Sequence, residues 1–177
     1  MASGVRPALV SVDRALDGDT LAAHAQGKRF KIRLAALDNP ECRHPGRSAD
    51  PAGHLCRVAL DALARRSWRE LWQDPLQPRL DAYGRRLGYL IDPATHADTG
   101  ALLIAQGFAW AAPWHRAFAL PWYAPATAKA IREQRGLWSP LMPIPRGPAA
   151  DRILARHAVL ASAGKSESQE PSHQEQQ

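Results

Sequence analysis

A short run near residue 40 brings together the residue types that phosphodiester chemistry requires. Arg33, Asp38 and Glu41 fall within nine positions, at the end of a segment in which apolar and polar residues alternate. A guanidinium group binds phosphate through paired hydrogen bonds, an aspartate binds a hard cation, and a glutamate orients or deprotonates a water molecule. This combination indicates metal-assisted hydrolysis of a phosphate ester.

Two other motifs supply residues of the same kinds. Upstream, Asp17 and Asp19 flank a glycine in a turn, and downstream a second arginine, Arg85, follows Asp81 and Tyr83. Two arginines for a phosphate, two aspartates for a cation and one glutamate for a water molecule are the inventory of a metal-dependent phosphodiesterase. The plainer alternatives stay open, because aspartate–glycine turns are common and a lone charged residue is usually a solvated surface group.

Hydrophobic periodicity predicts the elements that must position these residues. Residues 8–15 and 20–25 read as two strands around the first turn, and alternation over residues 30–34 predicts a third strand from which Arg33 projects away from the core. Asp50, as N-cap before Pro51, starts a helix. The apolar face predicted for that helix comprises Leu55, Val58, Ala59, Ala62 and Leu63.

The second half of the chain predicts two more strands and two more helices. Residues 71–80 form a poor strand, broken by prolines and suited only to a sheet edge, whereas residues 87–91 form a better one. Asp98 or Thr99 caps a short helix that runs through Gln106, and a last helix runs from about Trp122 to Arg135.

This order of elements predicts an α+β fold with a mainly β core, a five-stranded barrel of the OB type with about three helices. The catalytic domain is expected over residues 8–140. A proline-rich linker with a possible short helix follows over 141–161, and the polar, low-complexity residues 162–177 are expected to be a disordered tail.

Composition and charge narrow the partners. The chain has 177 residues and a net charge of +6, carried mostly by arginine, which favours an anionic polymer as partner. No apolar run approaches the length of a membrane span, and no obligate protein partner is evident. The lack of a signal peptide predicts a cytoplasmic protein, or a periplasmic or secreted one if the true start lies upstream.

The motifs, in this order, resemble those of the thermonuclease (staphylococcal nuclease-like) family. The similarity covers roughly residues 8–138 and includes a Leu103-to-Trp110 run and the Arg135-Gly136-Leu137-Trp138 sequence. Two positions differ from the family's usual lysine and threonine, which are replaced by Ala82 and Asn39. The resemblance implies an OB-type barrel and calcium-dependent hydrolysis of DNA, RNA or both.

The resemblance also implies a role for each site residue. Arg33, Glu41 and Arg85 would be catalytic, with Glu41 activating water and the two arginines clamping the phosphate. Ca²⁺ would be held by Asp19, Asp38 and the backbone carbonyl of Asn39. Substrate contacts would come from Tyr83, which would touch a phosphate, and from the rings of Trp110 and Trp114, unless these tryptophans are core and rim residues.

Two questions remain open at this point. Cys42 and Cys56 each neighbour a histidine, His44 and His54, so free thiols, a disulfide and a zinc site are all possible. The same barrel also occurs in proteins that only bind nucleic acid or protein, so a non-catalytic module is the alternative to a nuclease. The presence of all five charged site residues favours the nuclease.

Overall fold

The computed structural model describes residues 7–42, 48–112 and 116–166, with side chains as far as residue 157. Seven strands occur in these residues. They are β1 (Ala8–Ala15), β2 (Thr20–Ala25), β3 (Lys28–Leu34), β4 (Leu37–Asp38), β5 (Ser67–Gln73), β6 (Arg86–Ile91) and β7 (Trp110–Ala111). Five of them close into a barrel in the order β1, β2, β3, β6, β5, while β4 and β7 form a separate pair. The predicted five-stranded barrel of the OB type is confirmed.

One parallel strand pair brings two of the charged motifs together. All neighbouring strands of the barrel are antiparallel except β3 and β6, where Ile32 lies opposite Arg86 and Arg33 opposite Leu87. The start of β6 therefore lies beside the end of β3. This pairing carries the loop that precedes β6, with Arg85, to the side of Arg33.

Alternation along β3 sorts its side chains as the sequence predicts. Ile32 and Leu34 are buried in the barrel core, whereas Lys31 and Arg33 lie on the outer face. The core is filled by the inward residues of the other strands and by residues of the covering helices. Burial of these apolar side chains anchors the register of β3 and hence the direction of Arg33.

Four α-helices accompany the barrel in the described residues. They are α1 (Gly53–Ala64), α2 (Thr99–Ala105), α3 (Leu120–Arg132) and α4 (Pro148–Ser166). A short 3₁₀ turn, Gly136–Trp138, lies between α3 and α4. The Asp98 side chain caps α2 by accepting a hydrogen bond of 2.8 Å from the Gly100 amide, as predicted. None of these helices combines the length and the apolar character that crossing a membrane requires.

The start and the buried face of α1 differ from the prediction. The helix begins at Gly53 after Ala52, and Asp50 does not cap it, because the Asp50 carboxylate accepts the Glu41 amide instead. The buried positions are Gly53, Cys56, Leu60 and Ala64, while Val58 is exposed. The hydrophobic periodicity predicted the helix correctly. The face that α1 buries is set by the glycine at its start, which contacts the Glu41 backbone.

The predicted edge strand over 71–80 is also wrong in its bounds. The strand β5 starts at Ser67 and ends at Gln73, and it pairs with both β1 and β6 inside the closed barrel. Pro75 and Pro78 lie in the loop that follows. These prolines mark the end of the strand, because proline cannot donate to a ladder of hydrogen bonds.

The segment after Ser139, expected to be a linker, packs against the domain. Ala150 is fully buried in a cluster that also holds Ala52, Cys56 and Trp138. Ile153 and Leu154 pack on the same cluster, so α4 presents an apolar stripe at helical spacing. The helix runs to Ser166 and thus includes the first five residues of the expected tail, whereas residues 167–177 lie outside the described chain.

Candidate active site

Three motifs from distant parts of the sequence meet at one end of the barrel. Asp19 lies in the turn before β2, Arg33 near the end of β3, and Asp38 at the end of β4. The Arg33 guanidinium forms an ion pair with the Asp19 carboxylate through Nη1, and its Nη2 lies 3.6 Å from Asp38 Oδ1. Two of the three predicted calcium ligands therefore flank one guanidinium group.

Thr20 joins Arg85 to this cluster. Its hydroxyl donates to Asp19 Oδ1 at 2.7 Å and accepts from Arg85 Nη1 at 3.0 Å, a contact between residues 65 positions apart. Neighbouring Arg86 points elsewhere, with its guanidinium carbon 3.7 Å from the centre of the Phe30 ring. Of these two adjacent arginines, only Arg85 reaches the cluster.

The loop before β6 is shaped by Asp81. One carboxylate oxygen accepts the amides of Tyr83 and Arg85, each at 2.9 Å, and the other accepts Arg85 Nε at 2.6 Å. Partial burial works to raise the pKa of Asp81, but these hydrogen bonds and the charge of Arg85 outweigh it, so the pKa lies below its usual value. Asp81 is therefore ionised, and its hydrogen bonds fix the direction of the Arg85 side chain. The sequence did not indicate this role.

Tyr83 lies at the open edge of the same cleft. Its side chain is 84% exposed, and the Arg85 guanidinium carbon lies 5.4 Å from its ring centre. Together with Arg33, these residues line a cleft of about 380 Å³. An exposed ring next to two guanidinium groups suits a nucleotide, because each base offers a face for stacking and each phosphate accepts from arginine.

The backbone around Glu41 is held from several sides. The Glu41 amide donates to Asp50 Oδ2 at 3.2 Å, and its carbonyl accepts the Asp50 amide at 2.9 Å. The next amide, of Cys42, donates to Asp17 Oδ1 at 2.9 Å. Gly53 approaches so closely that a Cβ there would lie 2.5 Å from the Glu41 carbonyl group. Asp17, Asp50 and Gly53 thus position the half-buried Glu41, and sequence reasoning missed this function for all three.

The electrostatics at Asp38 are unfavourable for a charged carboxylate. Burial is the main cause that raises the pKa of Asp38 to about 6, and the charges of Asp19 and Glu41 raise it further, while Arg33 lowers it. Two carboxylates, those of Asp19 and Asp38, thus share a single guanidinium group, that of Arg33.

Asn39 extends this cluster with a buried amide. Its side chain is 2% exposed, and neither its oxygen nor its nitrogen has a hydrogen-bond partner among the described residues. Gly18 makes room for it, since a Cβ on Gly18 would lie 2.6 Å from the Asn39 amide. A crowded set of carboxylates beside an amide with unmet hydrogen bonds fits a hard divalent cation and its water ligands.

The donor set is small. Among the described residues, no three side chains of His, Cys, Asp or Glu form a group that could hold a metal by themselves. A cation at this site would depend on Asp19, Asp38, backbone carbonyl oxygen and water, and a bound phosphate would complete its shell.

Two predicted substrate contacts are not part of this cluster. Trp110 is fully buried and packs against Trp138, with ring centres 6.0 Å apart, so it cannot stack on a base. Its assignment as a substrate contact is wrong, and the alternative of a core residue is correct. Trp114 lies outside the described residues.

The cysteines are free thiols in the structure. Cys42 is half-buried and Cys56 is buried, and burial raises the pKa of both, to about 11 for Cys42. His44, the other predicted partner in a zinc site, lies outside the described residues. High thiol pKa values make both cysteines poor nucleophiles at neutral pH.

The chain is similar in sequence to known nucleases. The family model described as staphylococcal nuclease homologue matches residues 31–140. A micrococcal nuclease of Shigella flexneri is 29% identical over 138 residues, which cover 72% of each chain. Protein ParB of Escherichia coli is 30% identical over 72% of this chain and 71% of its own. Endonuclease YncB of Bacillus subtilis is 32% identical over 56% of this chain and 46% of its own.

Proposed function

Because the chain belongs to the staphylococcal nuclease family and is therefore a nuclease that hydrolyses phosphodiester bonds, we propose that it cleaves DNA, RNA or both in a calcium-dependent reaction. The observation that carries this proposal is the meeting of Asp19, Arg33, Asp38 and Arg85 at one end of the barrel, beside the fixed Glu41 loop. Chance surface charges would not be joined as Asp19 and Arg85 are, through the Thr20 hydroxyl, which contacts Arg85 across 65 positions of sequence.

The two arginines bind the phosphate that is attacked. Arg33 approaches the cleft from β3 and Arg85 from the loop before β6, so they would contact different oxygens of one phosphate group. Negative charge grows on these oxygens in the transition state, and planar guanidinium donors stabilise it. Arg33 would exchange part of its contact with Asp19 for the substrate phosphate, because the carboxylate is then available to the cation.

Glu41 acts on the water that attacks the phosphorus. Glu41 is a half-buried carboxylate, a group that can accept a proton from water. Asp50 and Gly53 hold its backbone, which limits the orientations available to the side chain. The proton leaves the water through Glu41 as the phosphorus–oxygen bond forms, and the leaving oxygen is protonated from solvent.

Asp19, Asp38 and the Asn39 carbonyl would hold Ca²⁺, an assignment supported by the all-oxygen donor set and the raised pKa of Asp38. When bound, the cation supplies positive charge for the phosphate oxygens and lowers the pKa of nearby water. Tyr83 would contact a flanking phosphate or base at the exposed rim of the cleft.

The proposal is tested by incubating single-stranded and duplex DNA and RNA with the protein in calcium or in excess chelator. We expect cleavage with calcium only. Calcium should also raise the melting temperature of the wild type in the absence of nucleic acid, and it should have little effect on an Asp19→Asn, Asp38→Asn double variant. Undiminished cleavage in chelator would contradict the metal requirement. Tight binding without any cleavage would favour a binding module.

A further inference from the structure

A second, strongly basic cleft lies beside the Glu41 loop. It is lined by Arg14 on β1, Lys31 on β3, and His54 and Arg57 on α1, and it encloses about 800 Å³. We call the cleft that these four residues line the basic cleft. Cys42 and Asp50 also line it, so it begins where the loop that carries Glu41 passes between the barrel and α1.

The strand register places its cations in line with the active site. Lys31 and Arg33 project from the same outer face of β3, two positions or about 6.7 Å apart. Ala22 on β2 pairs with both Arg14 and Lys31, so the three residues form one row across β1, β2 and β3. Arg14 and Lys31 are therefore about 10 Å apart, with only a methyl group between them.

Carboxylates of the described residues leave the cations of the basic cleft unpaired. In residues 7–42, 48–112 and 116–157, no carboxylate forms an ion pair with Arg14, Lys31 or Arg57. The Arg57 guanidinium forms a hydrogen bond with His54 at 3.3 Å and also interacts with the Cys42 side chain. Asp50 is the acidic residue of the lining, and its Oδ2 already accepts the Glu41 amide. Arginines elsewhere in the protein do pair, for example Arg69 with Asp92 at 3.0 Å.

We propose that the basic cleft binds backbone phosphates of the nucleic-acid strand beyond the scissile bond, on the side away from Tyr83. This inference rests on the proposed nuclease function and specifies its substrate as a strand several nucleotides long. A row of cations continuing from Arg33 at strand spacing matches the repeating charge of a phosphate backbone and carries no preference for base identity. The enzyme then favours internal bonds, because only these place phosphates in both clefts.

The test compares a variant that lacks two charges of the basic cleft with a control variant that lacks two charges elsewhere on the protein. The variant Arg14→Gln, Lys31→Gln is compared with Arg132→Gln, Arg152→Gln, whose exposed arginines lie on α3 and α4 and lose the same net charge. Steady-state kinetics are measured on a 20-nucleotide strand and on a dinucleotide, between 50 and 200 mM salt. All four side chains are solvent-exposed, so the melting temperature should remain unchanged.

We expect the cleft variant to raise KM for the 20-nucleotide strand about tenfold or more, with kcat and the dinucleotide reaction unchanged. The slope of log KM against log salt should fall by about 1.4, since each lost phosphate contact on a single strand contributes about 0.7. The control pair should change KM less than about threefold. Equal effects of the two variants on the long strand would overturn the proposal.

Binding separates this proposal from the proposed function. Fluorescence anisotropy with a labelled 20-nucleotide strand, measured in a Glu41→Gln background with calcium, reports the cleft without any cleavage. Weaker binding of the cleft variant alone supports the basic cleft even if the wild type proves inactive. Unaltered binding of the cleft variant refutes it even if the wild type is an active nuclease.

Discussion

Two carboxylates, those of Asp74 and Asp38, lie in contrasting surroundings in this protein. Asp74 is fully buried behind β5, and its oxygens accept the Leu76 amide at 2.7 Å, the Phe118 amide at 3.0 Å and the Tyr89 hydroxyl. Asp38, by contrast, lies among other carboxylates, accepts a bond from the Asn39 amide, and has a pKa raised to about 6.

The comparison indicates that Asp74 is the structural carboxylate of the two. Donors surround Asp74, so its burial is offset by hydrogen bonds that also fix the loop after β5 and the approach to α3. Asp38 accepts one backbone amide, that of Asn39, and lies 3.6 Å from the Arg33 guanidinium, so part of the cost of its burial is not offset and its pKa is raised. Polar groups left incompletely satisfied are a mark of the reactive end of the barrel.

The largest expected effect separates catalysis from folding. Glu41→Gln should lower kcat by at least about 10²-fold, because the amide cannot accept the proton of the attacking water. Nucleotide binding and the melting temperature should change little. Single-turnover kinetics together with anisotropy measure both quantities, and an equally active variant would remove Glu41 from the mechanism.

Arg33 and Arg85 should both be needed for activity, and to a similar degree. Arg33→Lys and Arg85→Lys should each reduce kcat/KM by about 10²-fold, because an ammonium group cannot reproduce the planar, two-pronged contact with phosphate. Arg86→Lys is the matched control, since its guanidinium lies on Phe30. A loss with Arg86→Lys and none with Arg85→Lys would show that the wrong arginine has been assigned.

Asp74 should show the reverse pattern. Asp74→Asn places an amide group where two backbone amides and a tyrosine hydroxyl donate, so we expect a loss of about 2–4 kcal/mol in the free energy of unfolding. Activity per folded molecule should stay within about threefold of wild type. Urea denaturation and activity at low temperature check this, and a catalytic defect without a loss of stability would contradict the division.

Variants of Asp50 test whether catalysis requires the Glu41 backbone to be held in place. Asp50→Ala removes the acceptor of the Glu41 amide and should lower kcat about tenfold with KM nearly constant. Asp50→Asn keeps an acceptor oxygen and should recover most of the activity. If both variants are equally slow, the Asp50 charge matters rather than its hydrogen bond.

Replacing Asp38 should have the smallest effect on the free energy of unfolding, and it should stabilise the protein. Its pKa is raised on folding, so the folded protein binds the proton more readily and the ionised carboxylate lowers stability above about pH 6. In chelator at pH 7, Asp38→Asn should raise the free energy of unfolding by about 1 kcal/mol. The gain should fade between pH 6 and pH 4, as wild-type Asp38 takes up its proton. Thermal denaturation across that range checks this, and a variant less stable than wild type at pH 7 would contradict it.

The sequence predicted the barrel well because its signals are local. Residues 8–15 and 20–25 lie on either side of a recognisable Asp17-Gly18 turn, so both strands were found with their observed bounds. The residues that brace the site were missed because their partners are distant: Asp17 reaches Cys42, and Thr20 reaches Arg85. The contact of Asp50 with Glu41 likewise depends on the path of the loop between them, which no periodicity encodes.

The parallel pairing of β3 with β6 has a consequence for the newly made chain. Arg33 and Arg85 come together only after β6 has been synthesised and has closed the barrel, and contacts so distant in sequence form late in folding because closing a long loop costs entropy. A partly folded chain therefore holds these two arginines apart. The charged cluster at the end of the barrel is complete only when β6 has paired with β3.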